Sequence, residues 1–261
     1  MNSSQLQLIY RDITQTIRNY RNVYLFIQKH QLWKGLFDYG WLSRFLAIIG
    51  LIVGLKFVSV FHHWVRSEST SFFSVSSVFN LIGDTFFEGY DLFVVGGFKY
   101  VILILLEIVI FHFARKTLQA LTGEEQKANL KAFIDAQVRM FQVVIFCFVM
   151  ELIISIFLKI GFSILSIKWL LPVALLIVQC FFLGFAIIDN YNEIYKMTIK
   201  QSFKFTQQYI GVALAVGVVV YMLMLLPLVG TVLAPLLGAV VSTMTMYQLE
   251  KKDQTMKEVF L

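Results

Sequence analysis

Four charged side chains stand in surroundings that make ionisation expensive. Glu107 and Glu151 lie deep inside apolar stretches, close to mid-membrane depth at about 1.5 Å per helical residue. A bare carboxylate there must be protonated, paired or turned to a polar cavity. Two kinds of chemistry suit such a group: a proton relay or ion-coupling site, or an interhelical hydrogen bond that holds a bundle together. Lys56 and Lys99 fall at similar depths in two neighbouring apolar stretches. Antiparallel packing would bring both ammonium groups to one level and make a site attractive to an anion; otherwise each snorkels separately to the headgroups. If unpaired, either lysine is removable without harm to folding, since its removal relieves a desolvation cost.

The other reactive side chains show no such arrangement. His62 and His63 are adjacent and point about 100° apart on a helix, with no Cys, Asp or Glu at metal-ligand spacing. His112 follows Glu107 by five positions and faces a different direction on a helix. Cys147 and Cys180 are inside apolar runs without metal or redox spacing. No nucleophile triad, zinc-binding or nucleotide-binding motif appears in a usable context. Neither a cofactor, a metal nor an enzymatic activity is expected.

The elements that position these residues follow from composition. Of 261 residues, 58% are hydrophobic and 15% charged, with a mean hydropathy of +0.75. Soluble domains run nearer roughly 45–50% and 25%, so a water-soluble fold has no place to bury this excess. The chain reads as one all-α polytopic membrane domain over residues 1–261. The net charge of +6 sits between apolar runs, as membrane topology requires, so no nucleic-acid partner is expected.

Residues 1–34 mix Leu8, Ile13, Ile17, Tyr20 and Tyr24 with Arg11, Arg18 and Arg21, which describes an amphipathic helix on an anionic membrane surface. This segment lacks the apolar core and cleavage site of a signal peptide and is expected to stay in the mature protein. Two long spans follow at 41–65 and 92–121, separated by a serine-rich loop, with Arg44 an interfacial anchor. Two helical hairpins at 139–188 and 209–249 come next and cross the bilayer fully or in part. In the second, Pro227, Gly230 and Pro235 forbid one continuous straight helix. Beyond the bend, Gly238, Ala239 and Ser242 are small enough for close helix packing. Lys and Arg number five up to Lys34, five over 115–139, three over 189–208 and three from Glu250, against one in the 66–91 loop. That asymmetry puts both termini in the cytoplasm.

At Gly184 to Tyr191, GFAIIDNY, and at Pro227 to Thr243, PLVGTVLAPLLGAVVST, the chain resembles the CysZ-like sulfate permeases and the wider family named for the etoposide-induced protein. The resemblance implies a helical inner-membrane (plasma-membrane) protein with partly penetrating hairpins and a role in sulfate uptake. Where that family carries a Gly-Leu-Arg type anion-binding element, this chain has Trp33, Lys34, Gly35 and Leu36. Lys34 offers the charge without the bidentate guanidinium fork. The resulting expectation is a permease or channel-like carrier for a small inorganic anion, sulfate by resemblance only, with Lys34, Lys56 and Lys99 as anion candidates. The alternative is a non-transporting scaffold or accessory subunit that binds lipid or a partner membrane protein. Candidate partners are membrane lipid, a small inorganic anion and a second copy of the chain.

Overall fold

In a computed structural model the chain is described over residues 3–36, 98–124, 130–165, 167–226 and 229–259. Among the described residues there are seven α-helices and no strand. They are α1 (Ser3–His30), α2 (Phe98–Thr122), α3 (Leu130–Ile164), α4 (Leu171–Ile194), α5 (Ile199–Gln208), α6 (Ile210–Met224) and α7 (Val229–Val259), with a 3-10 turn at Lys168–Leu170. The span expected at 41–65, the serine-rich loop, Arg44, Lys56, His62, His63 and Pro227 lie outside the described residues.

Among the described residues three helices are long and apolar enough to cross a membrane: α3 over Ile134–Ile164, α4, and α7 over Gly230–Asp253. The chain is thus compatible with an integral membrane protein in contact with lipid. The α5–α6 pair also qualifies when taken as one span, bent by 96°. Helix α3 shows the lipid-facing pattern most plainly, with Phe141, Ile145, Phe148, Leu152, Ile156 and Phe157 all exposed. Helix α2, by contrast, is enclosed along most of its length by α3, α4 and α7. Gly123, at φ +77, ends it, and its N–H reaches the Gln119 carbonyl at 2.9 Å.

Two helices run further than the sequence pattern suggests. Helix α4 continues past its apolar run through Asp189, Asn190, Tyr191, Asn192 and Glu193, because those polar groups find partners inside the bundle. Helix α7 continues through Pro235, where the sequence places a boundary. The ring removes one backbone donor, but Ala234 before it and Gly238 and Ala239 after it stay buried.

Helix α1 docks against α6 and α7 by a polar stripe. Asp12, Thr16 and Asn19 are buried with Val23. Asn19 Nδ2 donates to Thr245 Oγ1 at 2.8 Å, Gln15 Nε2 to Gln248 Oε1 at 2.7 Å, and Arg11 bridges to Asp253 at 2.8 Å. Leu6, Tyr10, Ile17 and Tyr24, an apolar stripe at helical spacing, remain exposed beside Arg18 and Arg21. A surface helix that buries its polar face and shows its apolar one is suited to lipid on the outer side.

Burial holds the Asp12 carboxyl above its usual range, while the Arg11 guanidinium pulls the other way. The folded protein then binds that proton more tightly than the unfolded chain. Stability from this site is full below about pH 4 and is lost as pH rises through the raised value. Thermal unfolding between roughly pH 4 and pH 7 should therefore show a decline that Asp12→Asn flattens. An identical profile in the variant would remove Asp12 as its source.

Candidate functional site

Among the described residues the polar end of α4 builds a dense charge cluster. Asp189 and Glu193, four residues apart, share one helix face and meet Arg139 of α3. The guanidinium grips Asp189 with two parallel bonds, Nε to Oδ2 at 2.8 Å and Nη2 to Oδ1 at 2.9 Å. Its Nε lies 3.8 Å from Glu193 Oε2, and Nη1 donates to the Met197 carbonyl. Such fork-to-carboxylate geometry fixes direction as well as charge.

Helix α5 closes over this pair. Thr198 and Gln201 form a reciprocal capping box that starts it, and its inward residues are Ser202 and Thr206, both buried. The Ser202 hydroxyl donates to Asp189 Oδ1. Asn192 Nδ2 donates to Ser202 Oγ at 2.9 Å and Thr206 Oγ1 at 3.3 Å. Tyr191 donates to Glu250 Oε2 at 2.7 Å, which ties the same helix end to α7.

Glu107 of α2 completes the cluster. It is 1% exposed, and among the described residues neither carboxylate oxygen accepts a hydrogen bond of normal geometry. Asn190 stands beside it, and Glu193, Asp189 and Arg139 are close enough to act on it electrostatically. Three carboxyl groups therefore share one guanidinium. Among the described residues no three acidic, His or Cys side chains converge to hold a metal ion.

A second buried pair lies elsewhere along α3. Lys99 Nζ meets Glu151 Oε1 at 2.7 Å, and Tyr100 donates to Glu151 Oε2 at 2.6 Å. The side chains of Lys99 and Glu151 are 1% and 9% exposed. The ammonium also lies 4.9 Å from the Tyr100 ring centroid. The sequence treats Lys99 and Glu151 as separate charges, one for an anion and one for coupling. The structure joins them, so Lys99 already holds a carboxylate.

The remaining sequence candidates are dispersed. Lys34 is exposed just beyond α1. His112 Nε2 sits 2.9 Å from the Leu32 carbonyl, and Cys147 and Cys180 are buried free thiols. Gly230 faces the Leu223 carbonyl, where an added Cβ would come within 1.8 Å of the oxygen. Gly238 faces the Val220 and Ile187 side chains, at 2.7 and 3.2 Å from the same hypothetical atom. Sequence reasoning does not single out Arg139, Asp189 or Glu193 as a site. The available signal is the four-residue spacing of two acids on a helix leaving an apolar run. Comparison with models of protein families, with curated proteins and with solved structures finds no match.

Proposed function

We propose that the chain is an integral-membrane permease for a small inorganic anion, CysZ-like in kind, and that it moves the anion together with a proton. The observation that carries this reading is Glu107, a fully buried carboxyl group with Asn190 beside it and, among the described residues, no hydrogen bond of normal geometry, next to the Arg139–Asp189–Glu193 cluster. A scaffold gains nothing from such a group, whereas a proton-coupled carrier needs a site that is neutral in one state and charged in another. Arg139 supplies the second half. Displacement of Asp189 from the guanidinium would leave two parallel N–H donors, the geometry that suits a tetrahedral oxyanion. Return of Asp189 to Arg139 expels the anion. Glu107 serves as the neighbouring carboxyl that accepts or delivers the proton.

The test is radiolabelled sulfate uptake into proteoliposomes with an imposed inward proton gradient. Protein-dependent uptake should accelerate with the gradient and lose that acceleration with a protonophore. Glu107→Gln, at matched incorporation, should retain slow gradient-independent exchange and lose the gradient-driven part. Flux that keeps its full gradient response in Glu107→Gln would reject the coupling role. No protein-dependent flux of sulfate or phosphate in the parent would return the protein to the scaffold reading.

A further inference from the structure

The turn between α4 and α5 opens outward as a groove of about 570 Å³. Tyr195, Lys196, Gln201, Lys204, Phe205 and Gln208 line it, and no acid does. Lys196, in the turn itself, adopts a left-handed backbone conformation, φ +58. Lys196 and Lys204 are both exposed, and neither forms a salt bridge among the described residues. Gln201 uses its Oε1 to accept from the Thr198 N–H and hydroxyl, which leaves its amide N–H groups to donate outward. The groove thus offers two unpaired cations, amide donors and an aromatic wall.

Its placement says what kind of anion it meets. Helix α5 turns through 96° into α6. With apolar α6 directed into a bilayer, α5 lies along the membrane surface, at headgroup level. Its inward face is fixed to α4 by Ser202 and Thr206, so the lysine face is the one presented outward. A half-exposed tyrosine beside two lysines is the side-chain set that settles at a membrane interface. From this geometry we infer that the groove is a binding site for the headgroup of an anionic phospholipid, with the phosphate between the Lys196 and Lys204 ammonium groups. This goes beyond the transport reading and stands whether or not the protein carries an anion.

Thermal unfolding of the full chain in detergent tests it, with three probes at matched concentration: dioctanoyl phosphatidylglycerol, dioctanoyl phosphatidylcholine and inorganic phosphate. Only phosphatidylglycerol should raise Tm progressively, since a ligand of the folded state stabilises it by mass action. Lys196→Asn, which tolerates the left-handed backbone, and Lys204→Gln should each weaken phosphatidylglycerol binding about fivefold, and together about thirtyfold. Lys204→Arg should retain it. Lys200→Gln, on the same helix but outside the groove lining, should change it much less. Single variants with the parent's unliganded Tm keep the comparison valid if the double variant folds poorly. Equal stabilisation by phosphatidylcholine would overturn the inference, as would undiminished binding in the lysine variants. A loss in Lys200→Gln equal to that in Lys204→Gln would replace the site with a diffuse surface field. Inorganic phosphate matching phosphatidylglycerol would replace the lipid with a free anion.

Discussion

Replacing Gly217 with alanine should destabilise the protein by about 2 kcal/mol or more, although alanine is the better helix former by about 1 kcal/mol. The reason is a seam between α4 and α6. A Cβ at Gly217 would lie 1.7 Å from the Cys180 carbonyl oxygen and 2.5 Å from its carbon. A Cβ at Gly184 would lie 1.9 Å from the Ala213 carbonyl oxygen. Positions 180 and 184 thus meet 217 and 213, two antiparallel helices in register through small residues four apart. The obstructing atoms are backbone, so no rotamer change relieves the clash, and the helices must part by more than about 1 Å to restore ordinary contact. That separation disturbs a fully buried neighbourhood of Phe182, Leu183, Val212 and Val216. Once the helices have parted, the second substitution costs less, so Gly184→Ala with Gly217→Ala should be less than additive. Gly161→Ala is the control, because a Cβ there meets nothing within 4 Å, and it should be neutral or slightly stabilising. Thermal unfolding of the purified variants measures all four. A Gly217→Ala protein as stable as Gly161→Ala would mean that the seam is not this tight.

Glu151→Ala should cost about 3–5 kcal/mol, the usual penalty for stranding one member of a buried ion pair. It leaves the Lys99 ammonium without its 2.7 Å partner and Tyr100 without its acceptor. Lys99→Gln should also destabilise, which reverses the expectation from sequence, where an unpaired lysine would be better removed. The decisive variant combines Lys99→Met with Glu151→Gln. It removes both charges, keeps an acceptor for Tyr100, and should recover most of the stability lost by either single change. A double variant no more stable than Glu151→Ala would show that volume and shape at this site, and not charge pairing, set the cost.

The existence of the helices is largely legible in the chain, and the pairing of charges is not. Apolar runs announce α3 and α4, because burial leaves a local trace. The extension of α4 into Asp189–Glu193 has no local trace, since polar residues there are satisfied by groups elsewhere in sequence: Arg139, Ser202, Glu250. Lys99 and Glu151 are separated by 52 positions, and only the crossing of α2 and α3 brings them together. From sequence, Lys99 therefore looks like a free cation to be matched with Lys56. Small residues near the last bend point to close packing at Gly238, where the neighbours are side chains. The tighter approach is at Gly184 and Gly217, whose opposite faces belong to helices that no periodicity could pair. In α1 the two stripes are visible, but which of them faces protein depends on hydroxyl and amide partners in α7.

The seating of α1 carries a consequence for how the protein is made. Its hydrogen-bond partners Thr245, Gln248 and Asp253 lie 226 to 242 residues downstream. At ribosomal speeds that interval is on the order of 10–45 s. During that time α1 has neither its polar partners nor the α6–α7 surface on which it rests. A helix with exposed Leu6, Tyr10, Ile17 and Tyr24 can wait at the lipid surface with those groups already in place. Its polar stripe stays in water until α7 arrives. Closure of the bundle by α1 on these partners therefore has to follow translation of the C-terminal helix.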